Sequence, residues 1–159
     1  MKKSLLCAVL FTMTSSLALA APFTLKVPEQ NTIELKKTPQ TIAVYDLSIL
    51  DTLNALGIEA KIVPETTFSG DLAKYKNPQF IKAGSLFEPD VEKLKLAKPD
   101  LIFVGGRSAK AQSQLQPLAP TVNLSAQTDD YITDLKQRTL ELASAFKREK
   151  IANEKLAEV

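Results

Sequence analysis

Among the polar side chains of this sequence, Arg107 is the one best placed for chemistry. It follows two glycines in Lys98 to Lys110, K-P-D-L-I-F-V-G-G-R-S-A-K. Leu101 to Val104 are four apolar residues between Pro99 and Gly105, too short a run for a helix and right for a strand buried on both faces. Gly105 and Gly106 let the backbone turn with unusual φ and leave no side chain in the way of a visitor. Arg107 thus stands at the carboxyl end of a central parallel strand, where open α/β sheets bind their ligands. It reads as a ligand anchor, against the plainer alternative of a solvated loop arginine.

Other chemistries are limited by what the 159 residues lack. There is no histidine and one cysteine, Cys7, so nitrogen and sulfur metal sites of the zinc or copper kind have no ligands. No G-x-S-x-G occurs, and no histidine stands ready to activate a serine. The phosphate-binding patterns G-x-x-x-x-G-K-[ST] and G-x-G-x-x-G are absent as well. A pair of carboxylates, Asp46 and Glu88, has no spacing in its support as a catalytic dyad. The sequence therefore reads as that of a binding protein, with no enzyme activity, catalytic residue, metal site or cofactor of its own.

Residues 1–20 combine Lys2 and Lys3, an apolar run from Leu5 to Leu19, and Ala18-Leu19-Ala20. This is the pattern of a cleaved secretory signal peptide, with cleavage expected after Ala20. Cys7 follows Leu6, not a small residue, which argues against a lipoprotein cleavage box. Cleavage would remove Lys2 and Lys3 from the 20 basic groups and leave 18 against 18 acidic ones. A mature chain without net charge has no electrostatic case for nucleic acid or an anionic membrane surface. It also has no further apolar run of membrane-spanning length.

The elements that must position Arg107 follow in order. Phe23, Leu25 and Val27 alternate before Pro28 to Asn31, and Ile33 and Leu35 after it, so residues 21–37 read as a small hairpin at the edge of the domain. From Thr38, short apolar runs alternate with helical periods, as in βαβ units. Thr41 to Tyr45 is the first buried strand. Ser48 is then expected to cap a helix with Ile49, Leu50, Leu53 and Leu56 on one face and Gly57 at its end. Ala60 to Val63 reads as a strand, Glu65 to Pro78 as a loop with one helical turn, and Phe80 to Ala83 as a short strand before Gly84.

Pro89 is expected at the first position of the next helix, with Asp90 and Glu92 in its positive first turn, Val91, Leu94 and Ala97 inward, and Pro99 ending it. Ala109 to Gln116 reads as a short helix and Thr121 to Leu124 as a strand. Asp129 to Phe146 is an amphipathic helix with Ile132, Leu135, Leu142 and Phe146 on one side. A further helical pattern from Lys150 through Ile151 and Leu156 runs on to Val159 without a cap, its apolar positions having nothing visible to cover.

Two stretches, T-I-A-V-Y-D-L-S-I-L-D-T-L-N-A-L-G-I and G-S-L-F-E-P-D-V-E-K-L-K-L-A-K-P-D-L-I-F-V-G-G-R-S, resemble the amino-terminal lobe of periplasmic ferric-siderophore-binding proteins of bacterial ABC importers. They are similar to the helical-backbone class of binding proteins, which also carries cobalamin and haem. The resemblance covers Thr38 to Val159 and is most specific between Gly84 and Arg107. It implies an α/β fold: an open, mostly parallel sheet flanked by helices, one of two lobes joined by a long helix with the ligand in the cleft between them. Residues 38–147 would form the lobe, and residues 148–159 the start of an inter-lobe helix that is cut short.

The resemblance also implies roles. Arg107 resembles the first-lobe arginine that pairs with catecholate or carboxylate oxygens of a ferric siderophore, and a planar guanidinium suits paired anionic oxygens. Tyr45, Asp46, Ser85, Leu86, Phe87 and Ser108 fall at the same strand edge and are the candidate walls of the cleft. Glu92, with Glu88 as a second candidate, resembles the acidic residue that docks on basic residues of the inner-membrane ABC permease. The plainer readings are a helix-dipole partner for Glu92, worth about 0.3 to 1 kcal/mol, and ordinary packing for Tyr45 and Phe87. The expected ligand is a ferric siderophore and the expected compartment the periplasm. Against a working binding protein stands a lone lobe that captures little.

Overall fold

The computed structural model describes residues 22–27, 30 and 32–158. The signal peptide expected over residues 1–20, with Cys7, lies outside the described residues, as do Pro28, Glu29 and Asn31 of the hairpin turn and the final Val159.

Two short strands, β1 (Phe23–Leu25) and β2 (Ile33–Leu35), pair antiparallel with Phe23 opposite Leu35. Five strands follow: β3 (Ile42–Val44), β4 (Ile62–Val63), β5 (Ile81–Lys82), β6 (Leu101–Val104) and β7 (Thr121–Asn123). They form one parallel sheet in the order β5-β4-β3-β6-β7. The register sets Val44 beside Phe103 and Phe103 beside Val122. The helices are α1 (Leu47–Ala55), α2 (Val91–Ala97), α3 (Gln112–Leu115), α4 (Tyr131–Phe146) and α5 (Glu149–Leu156), with 3-10 turns over Gly70–Lys76 and Gly106–Ala111.

Alternate strand residues feed two cores, as the two-residue period of a pleated strand requires. Ile42, Val44, Val63, Leu101, Phe103 and Val122 join one core, with the apolar residues of α1, α4 and the hairpin. Ala43, Tyr45, Ile62, Ile102 and Val104 join the other, with Leu94 of α2 and Leu115 of α3. The result is a three-layer α/β lobe, the fold class expected from the alternation of runs and periods.

The local expectations need five corrections. Asp46, not Ser48, caps α1, because its carboxylate reaches the Ser48 and Ile49 amides at 2.8 and 3.1 Å. Asp90 caps α2 through the Lys93 amide, and Pro89 lies outside the helix in an antiparallel bridge with Gly84. The helical segment after Arg107 begins early, at Gly106, as a 3-10 turn. The hairpin is part of the core and not an edge decoration: Phe23 and Leu25 are fully buried, and the Phe23 ring meets Phe146 edge-on at 4.9 Å.

The fifth correction concerns the two C-terminal helices. Lys147, in left-handed geometry at φ 58°, ends α4 and turns the chain, so that α5 lays Ala152 and part of Ile151 on the first core. Ile132, expected inward on α4, is instead exposed.

Asp100 ties the entries of two central strands, its Oδ2 accepting from the amides of Gln40 (2.8 Å) and Thr41 (3.0 Å). These two amides hold its carboxyl below the usual carboxylate range. A depressed folded pKa means that the unfolded state binds the proton first, so this stabilisation is present above about pH 4 and is lost as pH falls through the folded value. Asp100→Asn is expected to flatten the acid limb of stability against pH, and an unchanged limb would remove the tie. Phe23→Ala is expected to cost about 3 to 5 kcal/mol in chemical denaturation; a loss below about 1 kcal/mol would return the hairpin to the periphery.

Candidate functional site

Chain direction in the sheet reverses its crossover at one point. From β3 the chain moves outward through β4 to β5, then returns to the other side of β3 as β6 and continues to β7. Crossovers leaving β3 and β6 in opposite directions open a crevice at their carboxyl ends, the usual ligand position of open α/β sheets. A hollow of about 290 Å³ lies there, lined by Tyr45, Asp46, Leu47, Ser48, Leu86, Gly106 and Arg107.

The floor of the hollow is built by backbone pairing. Asp46 Oδ1 accepts from Ser48 N, Ile49 N and Ser48 Oγ, the last at 2.7 Å. Its Oδ2 lies where it would be 3.2 Å from a Cβ added at either Gly105 or Gly106, and a Cβ at Gly105 would also meet Ile49 Cδ1 at 3.0 Å. Gly106 is further restricted by its φ of +48°. The two glycines thus serve close packing against the Asp46 cap, which sequence reasoning had assigned to a visitor. Ser108 is fully buried; its Oγ accepts from Gly105 N at 3.1 Å and faces the Tyr45 carbonyl at 3.0 Å. It staples the carboxyl end of β3 to the turn after β6.

Arg107 stands on that floor. Its side chain is exposed and makes no hydrogen bond or ion pair among the described residues, and its guanidinium sits 5.8 Å from the Phe87 ring, within reach of a cation–π contact. Phe87 is 55% exposed. It belongs to the loop Gly84 to Asp90, closed by Ser85 N donating to the Glu88 carbonyl at 2.9 Å and by Ser85 Oγ accepting from the Phe87 and Glu88 amides. Gly84, at φ +83°, is obligatory, since a Cβ there would fall 2.3 Å from Glu88 O.

The structure therefore divides the candidate residues. Arg107 and Phe87 come together at the mouth with free faces, and Leu86 forms a wall. Tyr45 is buried, its hydroxyl donating to Ala83 O at 2.5 Å, and burial pushes its phenol far above the ordinary value, with Asp90 adding to the effect. Its side chain belongs to the second core, while the residue still borders the hollow. Ser85 and Ser108 have hydroxyls bonded to the backbone, as is Oδ1 of Asp46, whose Oδ2 makes no hydrogen bond among the described residues.

Leu47 and Ser48 line the hollow without having been singled out for it. The signal that would have found them is their position directly after the carboxyl end of β3. Glu92, with its side chain 79% exposed, pairs with Lys95 at 2.7 Å, and Glu88 is exposed in the neighbouring loop. No three His, Cys, Asp or Glu side chains converge as metal ligands among the described residues, and no helix among them is long and apolar enough to cross a membrane.

The chain has relatives among known proteins. The profile of the family described as periplasmic binding protein matches residues 42–159. The chain belongs to the periplasmic binding protein family. Within it, the chain is 29% identical over 133 residues to the petrobactin-binding protein YclQ of Bacillus subtilis, covering 82% of this chain and 42% of that one. It is 32% identical over 123 residues to the ferric dicitrate-binding periplasmic protein FecB of Escherichia coli, covering 70% and 39%.

The solved catecholate-siderophore-binding protein VctP of Vibrio cholerae superposes with a TM-score of 0.76 at 33% identity, over 87% of this chain and 50% of that one. The chain thus spans about half the length of the periplasmic binding proteins it matches. Members of this family are substrate-binding proteins, not enzymes.

If Asp46 and Gly106 are coupled by close approach, their substitutions should not add. Asp46→Ala is expected to cost about 0.5 to 2 kcal/mol through loss of the cap. Gly106→Ala is expected to destabilise by about 1 kcal/mol or more through positive-φ strain. The double variant should be more stable than the sum of the two losses, because the crowding oxygen is gone. Strict additivity in a chemical-denaturation cycle would show that the two residues do not press on each other.

Proposed function

We propose that this chain is the amino-terminal lobe of the solute-binding component of an ABC importer, and that it takes up an anionic ferric chelate of the siderophore class at the carboxyl ends of β3 and β6. The observation that carries this reading is Arg107, an exposed guanidinium without an ion-pair partner among the described residues, at the mouth of the switch-point hollow. Paired oxygens of a catecholate or carboxylate chelate suit its planar fork. Phe87 adds an aromatic face beside it. The names of the relatives, which bind petrobactin, ferric anguibactin and ferric citrate, support the ligand class.

In this reading the periplasm is the working compartment, and Glu92 and Glu88 meet basic residues of the inner-membrane permease. Both follow the carboxyl end of β5, on the same side of the lobe as the hollow. The Glu92–Lys95 pair is no obstacle, since an exposed i,i+3 pair is worth only about 0.3 to 0.5 kcal/mol.

A lobe acting alone offers contacts from one side of the chelate. Each charge-assisted hydrogen bond contributes about 1.5 to 3 kcal/mol. Two or three such bonds supplied by a second lobe would amount to roughly two to six powers of ten in affinity, at about 1.4 kcal/mol per power. Capture by this chain by itself is therefore weak in this reading. That favours measurement at high protein concentration.

The test is titration with ferric catecholates, read by quenching of tyrosine fluorescence, which is free of tryptophan background because the sequence has none. Arg107→Ala is expected to weaken binding at least about tenfold, the worth of one charge-assisted hydrogen bond, and to leave the unfolding midpoint in place. Quenching that is identical in the variant would remove Arg107 as the anchor.

A further inference from the structure

The hollow at Arg107 holds a second charged group with an unused valence. Oδ1 of Asp46 accepts from the Ser48 and Ile49 amides and from the Ser48 hydroxyl, whereas Oδ2 accepts from no donor among the described residues. Asp46 is half-buried. The fully buried side-chain nitrogens and oxygens that lack a partner among the described residues are Nε and Nη2 of Arg138. Oδ2 of Asp46 is not one of them, so solvent reaches it. It lies beside Gly106, 3.2 Å from where a Cβ would stand there, and both residues line the hollow.

The other polar groups of the wall are engaged within the protein. The Tyr45 hydroxyl donates to Ala83 O, the Ser48 hydroxyl to Asp46 Oδ1, and the Gly106 amide to Ser125 Oγ. Leu47 and Leu86 complete the lining with apolar surface. The charged groups left to a visitor are one carboxylate oxygen and one guanidinium, and no ion pair joins them.

Two open groups of opposite sign make different demands. The guanidinium only donates, and the carboxylate only accepts. A ligand with anionic oxygens alone satisfies Arg107 but brings like charge towards Oδ2 and strips its water without replacing the hydrogen bond, which disfavours that ligand. A ligand that also carries a protonated amine meets both groups with charge-assisted hydrogen bonds.

We infer that Asp46 sets specificity in this hollow, its Oδ2 selecting ligands that carry a protonated amine beside their paired anionic oxygens. Resting on the function proposed above, this narrows the ligand to amine-bearing chelates of the siderophore class. One carboxylate then caps α1 with one oxygen and reads the ligand with the other.

Two catechols that differ in the charged group provide the test: dopamine, with an amine at the end of its ethyl chain, and 4-ethylcatechol, without one. Their gallium(III) complexes replace the ferric ones, because gallium(III) has the same charge and is diamagnetic. Each is titrated at neutral pH into the ¹⁵N-labelled full chain, and the amide signals of Ser48, Gly106 and Arg107 report binding at the hollow. The dopamine complex is expected to bind at least about tenfold more tightly, the worth of one charge-assisted hydrogen bond. Asp46→Asn keeps a capping oxygen for α1 and removes the second carboxylate oxygen, so the preference should vanish while affinity for the ethylcatechol complex holds or rises. Asp46→Ser, also a capping residue, should do the same and serves if the first variant does not fold.

Glu88→Gln, a change to the exposed carboxylate of the neighbouring loop, should leave the preference in place. Equal affinity for the two complexes overturns the role of Asp46. So does a preference that Asp46→Asn leaves intact or that Glu88→Gln removes. In those cases the function proposed for the hollow stands as long as Arg107→Ala weakens both complexes. If neither complex binds the unaltered chain, that function and the role of Asp46 fall together.

Discussion

The Asp46 carboxylate is the constraint that the lobe is built around. One of its oxygens closes the amino terminus of α1, and the other comes so close to Gly105 and Gly106 that no side chain fits at either without displacement. The ends of β3 and β6 can therefore lie side by side only with two small residues after β6. Ser108 completes the junction by linking the Tyr45 carbonyl to the Gly105 amide. Arg107 projects from a turn whose backbone is fixed on both sides, so the position of a long, exposed side chain is set by rigid parts. A cap usually counted as local stabilisation here determines where the hollow is.

The sheet and its cores were legible because their signal is compositional and periodic. Buried parallel strands read as unbroken apolar runs, and Leu101 to Val104 is one of them. Arg107 was legible for a related reason, since a charge directly after a buried strand has to leave the sheet at its edge. What could not be read was the fate of polar atoms. Tyr45, Asp46, Ser85 and Ser108 have the composition of a binding wall, yet each is bonded to the chain's own backbone. A hydroxyl committed to a carbonyl and one offered to a ligand look alike in sequence, because the partner is set by tertiary geometry.

The same limit explains the helix starts and the hairpin. Asp46 and Ser48, or Pro89 and Asp90, are competing caps within two residues of each other, and propensity ranks them nearly equal. The register of the preceding strand chooses between them. The hairpin alternates as an edge strand would, but α4 runs across its apolar side and turns Phe23 and Leu25 into core. That packing joins residues more than a hundred positions apart, a relation no local window contains. Arg138 was hidden in the same way, on a helix whose apolar spacing gave no reason to expect a buried guanidinium.

The two arginines show how environment divides one chemistry. Arg107 is exposed beside an aromatic ring, at the mouth of the hollow at the carboxyl ends of β3 and β6. Water screens its charge, so in isolation it gains little from any one anion. In the function proposed above, a ligand large enough to exclude that water and to present several oxygens would supply the selectivity. Arg138 is buried, with Nη1 donating to the Leu124 carbonyl. Burial makes each of its hydrogen bonds stronger and each unpaired donor more unfavourable.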